Sequence, residues 1–536
     1  MRWTRALIPS RLFSALLLGG LICIVPGVAA ASQSFRDAPA RPITAASQTP
    51  QPIRTETAEQ RTARALEAAR ANDGALYAFL LNMPKGGDLH NHITGAAYAE
   101  SFIKWAAADG LCVDRESHTL FVPPCKEHQV EAKKALTDPH LYAELIDAWS
   151  MRHFNGPNSG HDHFFDTFPK FNAVTNAHMG DMMAELARRN RDANLQYLEL
   201  MTMPDRSESI GFGSKFTFDT NFSNLRQTML AGGLKQLVSD ARKNLDAWDA
   251  QKNAALRCGD ANPNNVDEAC GVTIRHDYAV LRAFTPEQVF AQLLLAFELA
   301  STDPRVVGVN MVQPEDWLVP MRDYTLHMKM VSYLREVYPK VHVSLHAGEI
   351  VPGLVPPEGL RFHIREAVEL AKAERIGHGV DVMYEDDPQQ LLSSMARRNV
   401  MVEICLTSND VILGVKGKDH PLRMYLRTGV PVAQATDDEG VSRSEITREY
   451  QKAVEEQGLE YPMLKSMART SLEHSFLAGA SLWSDARRFN TVKECSADRP
   501  GERNPSQGCR AFLKANERAN EQWKLEKQFA EFEARF

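Results

Sequence analysis

The chain has no surplus of positive charge: 61 Lys and Arg stand against 68 Asp and Glu, a net charge of −7. A DNA- or RNA-binding protein needs a basic footprint, so nucleic acid polymers are not expected as partners. No CxxC pair occurs among the 8 cysteines, which argues against a structural zinc built from them. Past residue 31 no run is long and apolar enough to span a bilayer. With 44% hydrophobic and 24% charged residues the chain falls in the globular class. Its 536 residues are long for one domain, yet α/β barrels with insertions exceed about 400 residues, so one large domain with appendages is expected.

The first 31 residues read as an export leader. Arg2, Arg5 and Arg11 form a basic region, residues 12–25 an apolar one, and Gly27-Val28-Ala29-Ala30-Ala31 supplies the small residues of a cleavage site. A retained short anchor is the alternative; Cys23 is a poor lipid attachment point because bulky Ile22 precedes it. Export to the periplasm or outside the cell suits the remaining cysteines, which fall into local pairs, Cys112 with Cys125, Cys258 with Cys270 and Cys495 with Cys509. Six cysteines allow 15 connectivities, so this pairing rests on proximity; each closed loop is worth roughly 3 kcal/mol. Cys405, inside Val402-Glu403-Ile404-Cys405-Leu406, reads as a buried thiol rather than a nucleophile. Residues 32–57 are rich in Ala, Pro, Gln, Ser and Thr and are expected to form a flexible tether. A helical extension follows over 58–82, ended by Pro84 and Gly86-Gly87.

Eight apolar runs then read as strands, at 88–92, 196–201, 272–281, 306–312, 341–345, 375–378, 400–405 and 431–435. Helical stretches at 286–300, 324–338, 364–373 and 387–398 alternate with the later strands, which points to a TIM-type (β/α)8 barrel over 83–485. Large insertions separate the early strands, and Phe164-Phe165-Asp166-Thr167-Phe168 is a candidate apolar gate. Beyond the barrel, 486–536 reads as a stapled loop and an amphipathic helix over 512–536; this helix or the N-terminal one is a candidate homodimer contact.

Polar motifs close several of these strands. His90-Asn91-His92 places two imidazoles on one side of an extended strand. His346-Ala347-Gly348-Glu349 puts an imidazole beside an acid, Ile376-Gly377-His378-Gly379 adds a histidine between glycines, and Thr436-Asp437-Asp438 adds paired carboxylates. Barrel enzymes assemble their sites at the C-terminal ends of the strands. Two histidines from strand one, one from strand five and an aspartate from strand eight make an N3O set suited to one zinc or another borderline divalent ion. A second metal would call for a bridging carboxylated lysine near strand four, and Val306-Val307-Gly308-Val309-Asn310-Met311 has none.

With Cys405-Leu406-Thr407-Ser408-Asn409, these motifs resemble in order and spacing those of the adenosine deaminases of the metal-dependent amidohydrolase superfamily, over about residues 83–480. The leader, the local cysteine pairs and the long insertion after strand one resemble the secreted, growth-factor-related branch. The resemblance implies hydrolytic deamination of adenosine or a related 6-aminopurine nucleoside, with His90, His92, His346 and Asp437 as zinc ligands. It makes Glu349 the proton donor to purine N1, His378 the group that orients and helps deprotonate the water, and Asp438 the partner of N7. Two positions depart from the family: Thr94 stands where an aspartate reaches the ribose, and Gln313 where a glycine N–H meets N3. Both leave the chemistry intact and put the exact substrate in doubt.

His161-Asp162-His163 repeats the HxH spacing without a second ligand cluster near it in sequence. His276, His342, His363, His420 and His474 are read as packing, capping or exposed residues. Retention of both Glu349 and His378 favours an enzyme over the other readings, which are an exported binding or signalling protein on a deaminase scaffold and a hydrolase of another amide.

Overall fold

The computed structural model describes residues 56–154 and 160–536. The expected leader, and the tether as far as residue 55, lie outside the described residues. Eight strands form one parallel sheet in chain order: β1 (Gly86–His92), β2 (Leu195–Thr202), β3 (Thr273–Leu281), β4 (Val306–Val312), β5 (His342–Ala347), β6 (Arg375–His378), β7 (Met401–Ile404) and β8 (Val432–Gln434). All eight coincide with the apolar runs of the sequence. Nearly every position in them is buried, which is why they read as continuous apolar runs rather than alternating ones. Leu198, Val280, Val309, Val343, Ile376 and Val402 are buried in one core with the surrounding helices, each contributing about 1.5–3 kcal/mol.

The sheet closes at the seam between its first and last strands. A parallel bridge joins Asn91 to Asp437, with Asp437 N–H donating to His90 O (2.9 Å) and His92 N–H to Asp437 O (3.2 Å). Asn91 Nδ2 also donates across the seam to Thr436 Oγ1 (2.9 Å). Three of the four expected ligands therefore belong to the closure itself.

The expected helix Pro286–Ala300 forms with its Thr285/Gln288 capping box, and Pro388–Arg398 follows N-cap Asp387. Leu318–Val337 begins before the expected residue 324, because Pro320 lies in its first turn, where a missing N–H costs nothing. His363–Glu369 ends early, with Lys372 at φ +59° turning the chain. The expected N-terminal helix is two helices, Ala58–Ala69 and Asp73–Asn82: Asn72 is extended and its side chain caps the second by accepting from Ala75 N–H. The C-terminal helix is likewise split at extended Asn516 into Gln507–Ala515 and Glu517–Glu533. The latter buries Phe532 against Phe79 and Tyr461, tying both ends of the described chain to the barrel's last large helix, Tyr461–Glu473.

The insertion after β1 carries a small antiparallel sheet and the helix Gly160–Thr175. The Phe164–Phe168 segment lies within that helix. Phe164 is buried and contacts Phe165 and Phe168 (5.2 and 5.8 Å between rings), and Phe168 contacts Phe171, so these rings join the insertion to the main core. The three local cysteine pairs are joined as expected, and Cys405 is a buried thiol.

Candidate active site

His90, His92, His346 and Asp437 converge at the C-terminal mouth of the barrel, their ligand atoms all within 4.8 Å of one another. His92 Nε2 faces His346 Nε2 at 3.1 Å, and Asp437 Oδ1 lies 3.2 Å from His92 Nε2 and 3.6 Å from His90 Nε2. Atoms bound 2.0–2.2 Å from one tetrahedral ion sit about 3.3–3.5 Å apart, so the set fits a zinc-sized cation. His90 Nε2 is buried with no hydrogen-bond partner among the described residues.

Outer groups fix which ring nitrogen holds the lone pair. His90 Nδ1–H donates to Glu403 Oε2 (2.7 Å). His346 donates from both its backbone N–H (3.1 Å) and Nδ1–H (2.8 Å) to Asn310 Oδ1. Each ring then turns Nε2 to the centre, where a bound cation would take the place of a proton, the arrangement by which second-layer carboxylates and amides orient metal-binding histidines. Ser408 Oγ donates to Asp437 Oδ2 (2.6 Å), leaving Oδ1 for the cluster. Glu403 is itself held by Ser344 Oγ (2.8 Å) and by fully buried Arg375 (2.6 Å). Arg375 also meets Glu199 (2.6 Å) and Asp277 (3.3 Å). Burial and the neighbouring Glu199 and Glu403 raise Asp277 well above the ordinary carboxylate range, although Arg375 acts against them.

The electrostatics favour a cation at the convergence point. Burial opposes charge on His90, yet the Asp437 and Glu403 carboxylates outweigh it and raise its pKa to about 10. Burial lowers His92 to about 4, and burial with the neighbouring imidazoles holds His346 well below its usual value. Burial also acts against the ionised form of Asp437, but the surrounding histidines pull its pKa down nonetheless.

Glu349 and His378 stand beside this cluster, with His378 Nε2 3.5 Å from Glu349 Oε1. Burial, then the Asp437 and Glu315 carboxylates, raise Glu349 well above the usual range, which favours its acid form. The same holds for Asp438, raised by burial and by Asp437. Two close approaches rule out a side chain: a Cβ on Gly377 would meet His90 Cε1 at 2.5 Å, and one on Gly95 would meet Asp438 Oδ1 at 1.7 Å. His378 (φ +67°), Asp437 (φ +59°) and Gln313 (φ +86°) all hold left-handed backbone, the strain that clusters at functional sites.

Thr94 is half-buried in the short helix Ile93–Ala96 directly after β1. Gln313 accepts with its side-chain oxygen from Ala283 N–H (2.8 Å) and with its carbonyl from Arg282 Nη2 (2.6 Å), so its side chain is committed to the β3 loop. His161 and His163 do not converge. Two histidines expected to be packing, capping or exposed are instead buried supports of the site. His363 Nδ1 bonds Glu315 Oε1 (2.7 Å), and Glu315 in turn receives the N–H groups of Gly348 (3.1 Å) and Glu349 (2.7 Å). His420 reaches His378 through Asn409. Glu403, Asn310 and Glu315 also escaped the sequence reading, although an acid or amide interrupting a run buried on both faces, as in Met401–Ile404 and Val306–Val312, marks a residue that must find a partner.

The adenosine deaminase family model matches residues 260–481. The adenine deaminase of Rhizobium rhizogenes is 30% identical over 287 residues, covering 53% of this chain and 71% of the relative. The aminodeoxyfutalosine deaminase of Streptomyces coelicolor is 25% identical over 406 residues, 75% of this chain and 82% of that one. An amidohydrolase from Burkholderia ambifaria, solved with bound zinc, shares the fold with a TM-score of 0.51 at 15% identity, covering 85% of this chain and 95% of its own. With its closed eight-stranded barrel and its His/Asp cluster, the chain belongs to the adenosine deaminase family and is a metal-dependent hydrolase of the deaminase type.

Proposed function

We propose that the protein hydrolyses the 6-amino group of adenosine or a related 6-aminopurine nucleoside, releasing ammonia and the 6-oxo product, with one zinc per chain. The observation that carries this reading is the placement of Glu349 and His378 against the four-residue ligand cluster. His90, His92, His346 and Asp437 would hold the ion, which when bound supplies hydroxide at ordinary pH by lowering the pKa of water.

The residues of the chain do the rest. A 6-aminopurine presents ring acceptors at N1 and N7, and two carboxyls whose acid forms are favoured by burial match them. Glu349 gives its proton to N1, which makes C6 electrophilic, and Asp438 donates to N7 and fixes the ring's orientation. His378 directs the attacking oxygen from the side opposite the ring. Thr94 and the backbone N–H of Gln313 are proposed to face the sugar and the purine N3 edge, where their departure from the family alters which nucleoside is preferred. The relatives named for adenine and aminodeoxyfutalosine support 6-amino deamination and leave adenosine as one candidate among related purines.

Export is part of the proposal, on the leader-like N-terminus and the three joined cysteine pairs. The test is ammonia release by the metal-loaded chain from adenosine, deoxyadenosine, adenine, AMP and N6-substituted analogues. Turnover of at least one is expected, and silence on all of them with a full complement of metal rejects the reading.

A further inference from the structure

A chain of buried hydrogen bonds leads to His378, and its direction can be read from one end. Leu422 N–H lies 3.1 Å from His420 Nδ1. A peptide N–H can only donate, so Nδ1 holds a lone pair, and a neutral imidazole then carries its hydrogen on Nε2. Burial and the nearby Lys452 lower the His420 pKa to about 3, which keeps the ring neutral. His420 Nε2 is 3.0 Å from Asn409 Oδ1, which must therefore accept. The other end of that amide, Nδ2, is 3.0 Å from His378 Nδ1 and can only donate. The peptide N–H thus sets the orientation of the Asn409 amide as well.

His378 Nδ1 is the acceptor at the end of this relay, and its one ring proton sits on Nε2. That nitrogen is buried and has no hydrogen-bond partner among the described residues. It faces the ligand cluster from beside Glu349. All three side chains are at most 2% exposed, so solvent does not compete for these bonds.

We propose that Asn409 and His420 are positioning residues that lock His378 as the Nε2–H tautomer, making it a hydrogen-bond donor to the attacking oxygen. This deepens the deaminase reading and rests on it for its role in the reaction. A neutral imidazole with its proton on Nε2 can orient an oxygen lone pair toward C6 but cannot take a proton at that atom. The orienting half of the role implied for His378 fits, and the deprotonating half does not.

The test uses the full metal-loaded chain labelled with 15N-histidine. Long-range 1H–15N correlation spectra show which ring nitrogen of His378 is protonated, the signals being assigned by their loss in His378→Gln. In the unsubstituted protein Nε2 is expected to carry the proton. Asn409→Asp keeps the size and the acceptor toward His420 but replaces the N–H facing His378 with an oxygen, so the proton moves to Nδ1. Outer-layer substitutions of this kind cost about 10–100-fold in activity, and here the loss should fall on kcat with KM little changed and metal content intact. His420→Leu should also lower kcat, and His420→Gln, which restores an N–H donor, should recover most of the loss. A His378 proton on Nδ1 in the unsubstituted protein overturns the proposal, as does a tautomer and kcat unmoved by Asn409→Asp. The spectrum of the unsubstituted protein decides the matter even if a variant fails to fold. An Nε2–H signal in a protein that deaminates no purine refutes the deaminase reading alone, and an active protein with Nδ1–H refutes only the relay.

Discussion

The chain contains the same HxH spacing twice, in His90-Asn91-His92 and His161-Asp162-His163, and the two copies come to opposite ends. On β1 the side chains alternate faces, so both imidazoles fall on one side and meet Asp437. On the helix Gly160–Thr175 a step of two residues turns roughly 200° about the axis, and the rings diverge. His163 Nε2 donates to Ser150 O (3.1 Å) and its ring stacks on Phe154. His161 faces carboxylates with both nitrogens, Asp162 at 3.1 Å and Asp316 at 3.0 Å. Burial acts against its charge, but those carboxylates raise its pKa and engage both ring nitrogens. The β1 pair instead has a single backing acceptor behind His90 and keeps its Nε2 atoms turned inward. Spacing alone does not make a metal site; the period of the backbone and the group behind each ring do.

The sharpest way to break this contrast is His90→Ala. Metal analysis by mass spectrometry should fall from one ion per chain to near zero, and ammonia release to background; retained metal with full activity would show that the β1 pair is not the binding pair. Next in size is Glu349→Gln, which leaves the cluster in place but removes the transferable proton. Its kcat should drop about 10² to 10⁴-fold with metal content unchanged, as steady-state kinetics would show; an unchanged kcat would end the proton-donor role.

Glu403→Gln asks whether the group behind the ring matters as much as the ring. It weakens the acceptor on His90 Nδ1, and competition with a chelator should reveal a metal affinity about 10–100-fold lower.

Glu315→Gln probes the support of the Glu349 turn through acid stability. Burial opposes ionisation of Glu315, but His363, Arg282 and the Glu349 N–H lower its pKa to about 2, against about 4.3 in an unfolded chain. Between those values the folded state binds fewer protons. The stabilisation is therefore complete above about pH 4.3 and is lost as pH falls toward 2, a change of a few kcal/mol. Denaturant melts from pH 6 down to 3 should show a steeper loss in the native chain than in Glu315→Gln; parallel curves would contradict the shift. The smallest effect is expected from the joint change His161→Ala, His163→Ala, where one metal per chain should remain with affinity within about twofold; loss of an ion would mean that the helical pair binds one.

Much of the barrel was legible because parallel strands buried on both faces appear as continuous apolar runs, and β2, β4 and β7 announce themselves that way. The helix breaks at Asn72 and Asn516 were not, because each depends on a cap and a packing contact rather than on composition. Among site residues, those carrying the HxH, HAGE, GHG and TDD motifs could be found because their chemistry is compressed into a few consecutive positions. Their supports could not. Asn310, Glu315, His363, Glu403 and His420 are isolated polar residues in unrelated elements, joined to the motifs or to one another by contacts spanning 11 to 313 residues.

The sequence by itself therefore determined which residue types could bind a cation, which strands would carry them and that the strands would run parallel, since these follow from local periodicity and burial. Only the tertiary structure decided that barrel closure at Asn91 and Asp437 brings the first and last strands' ligands together. It also decided which nitrogen of each imidazole faces the centre. A tautomer is set by the donor or acceptor that packing brings within about 3 Å, and no local pattern in the chain encodes that partner.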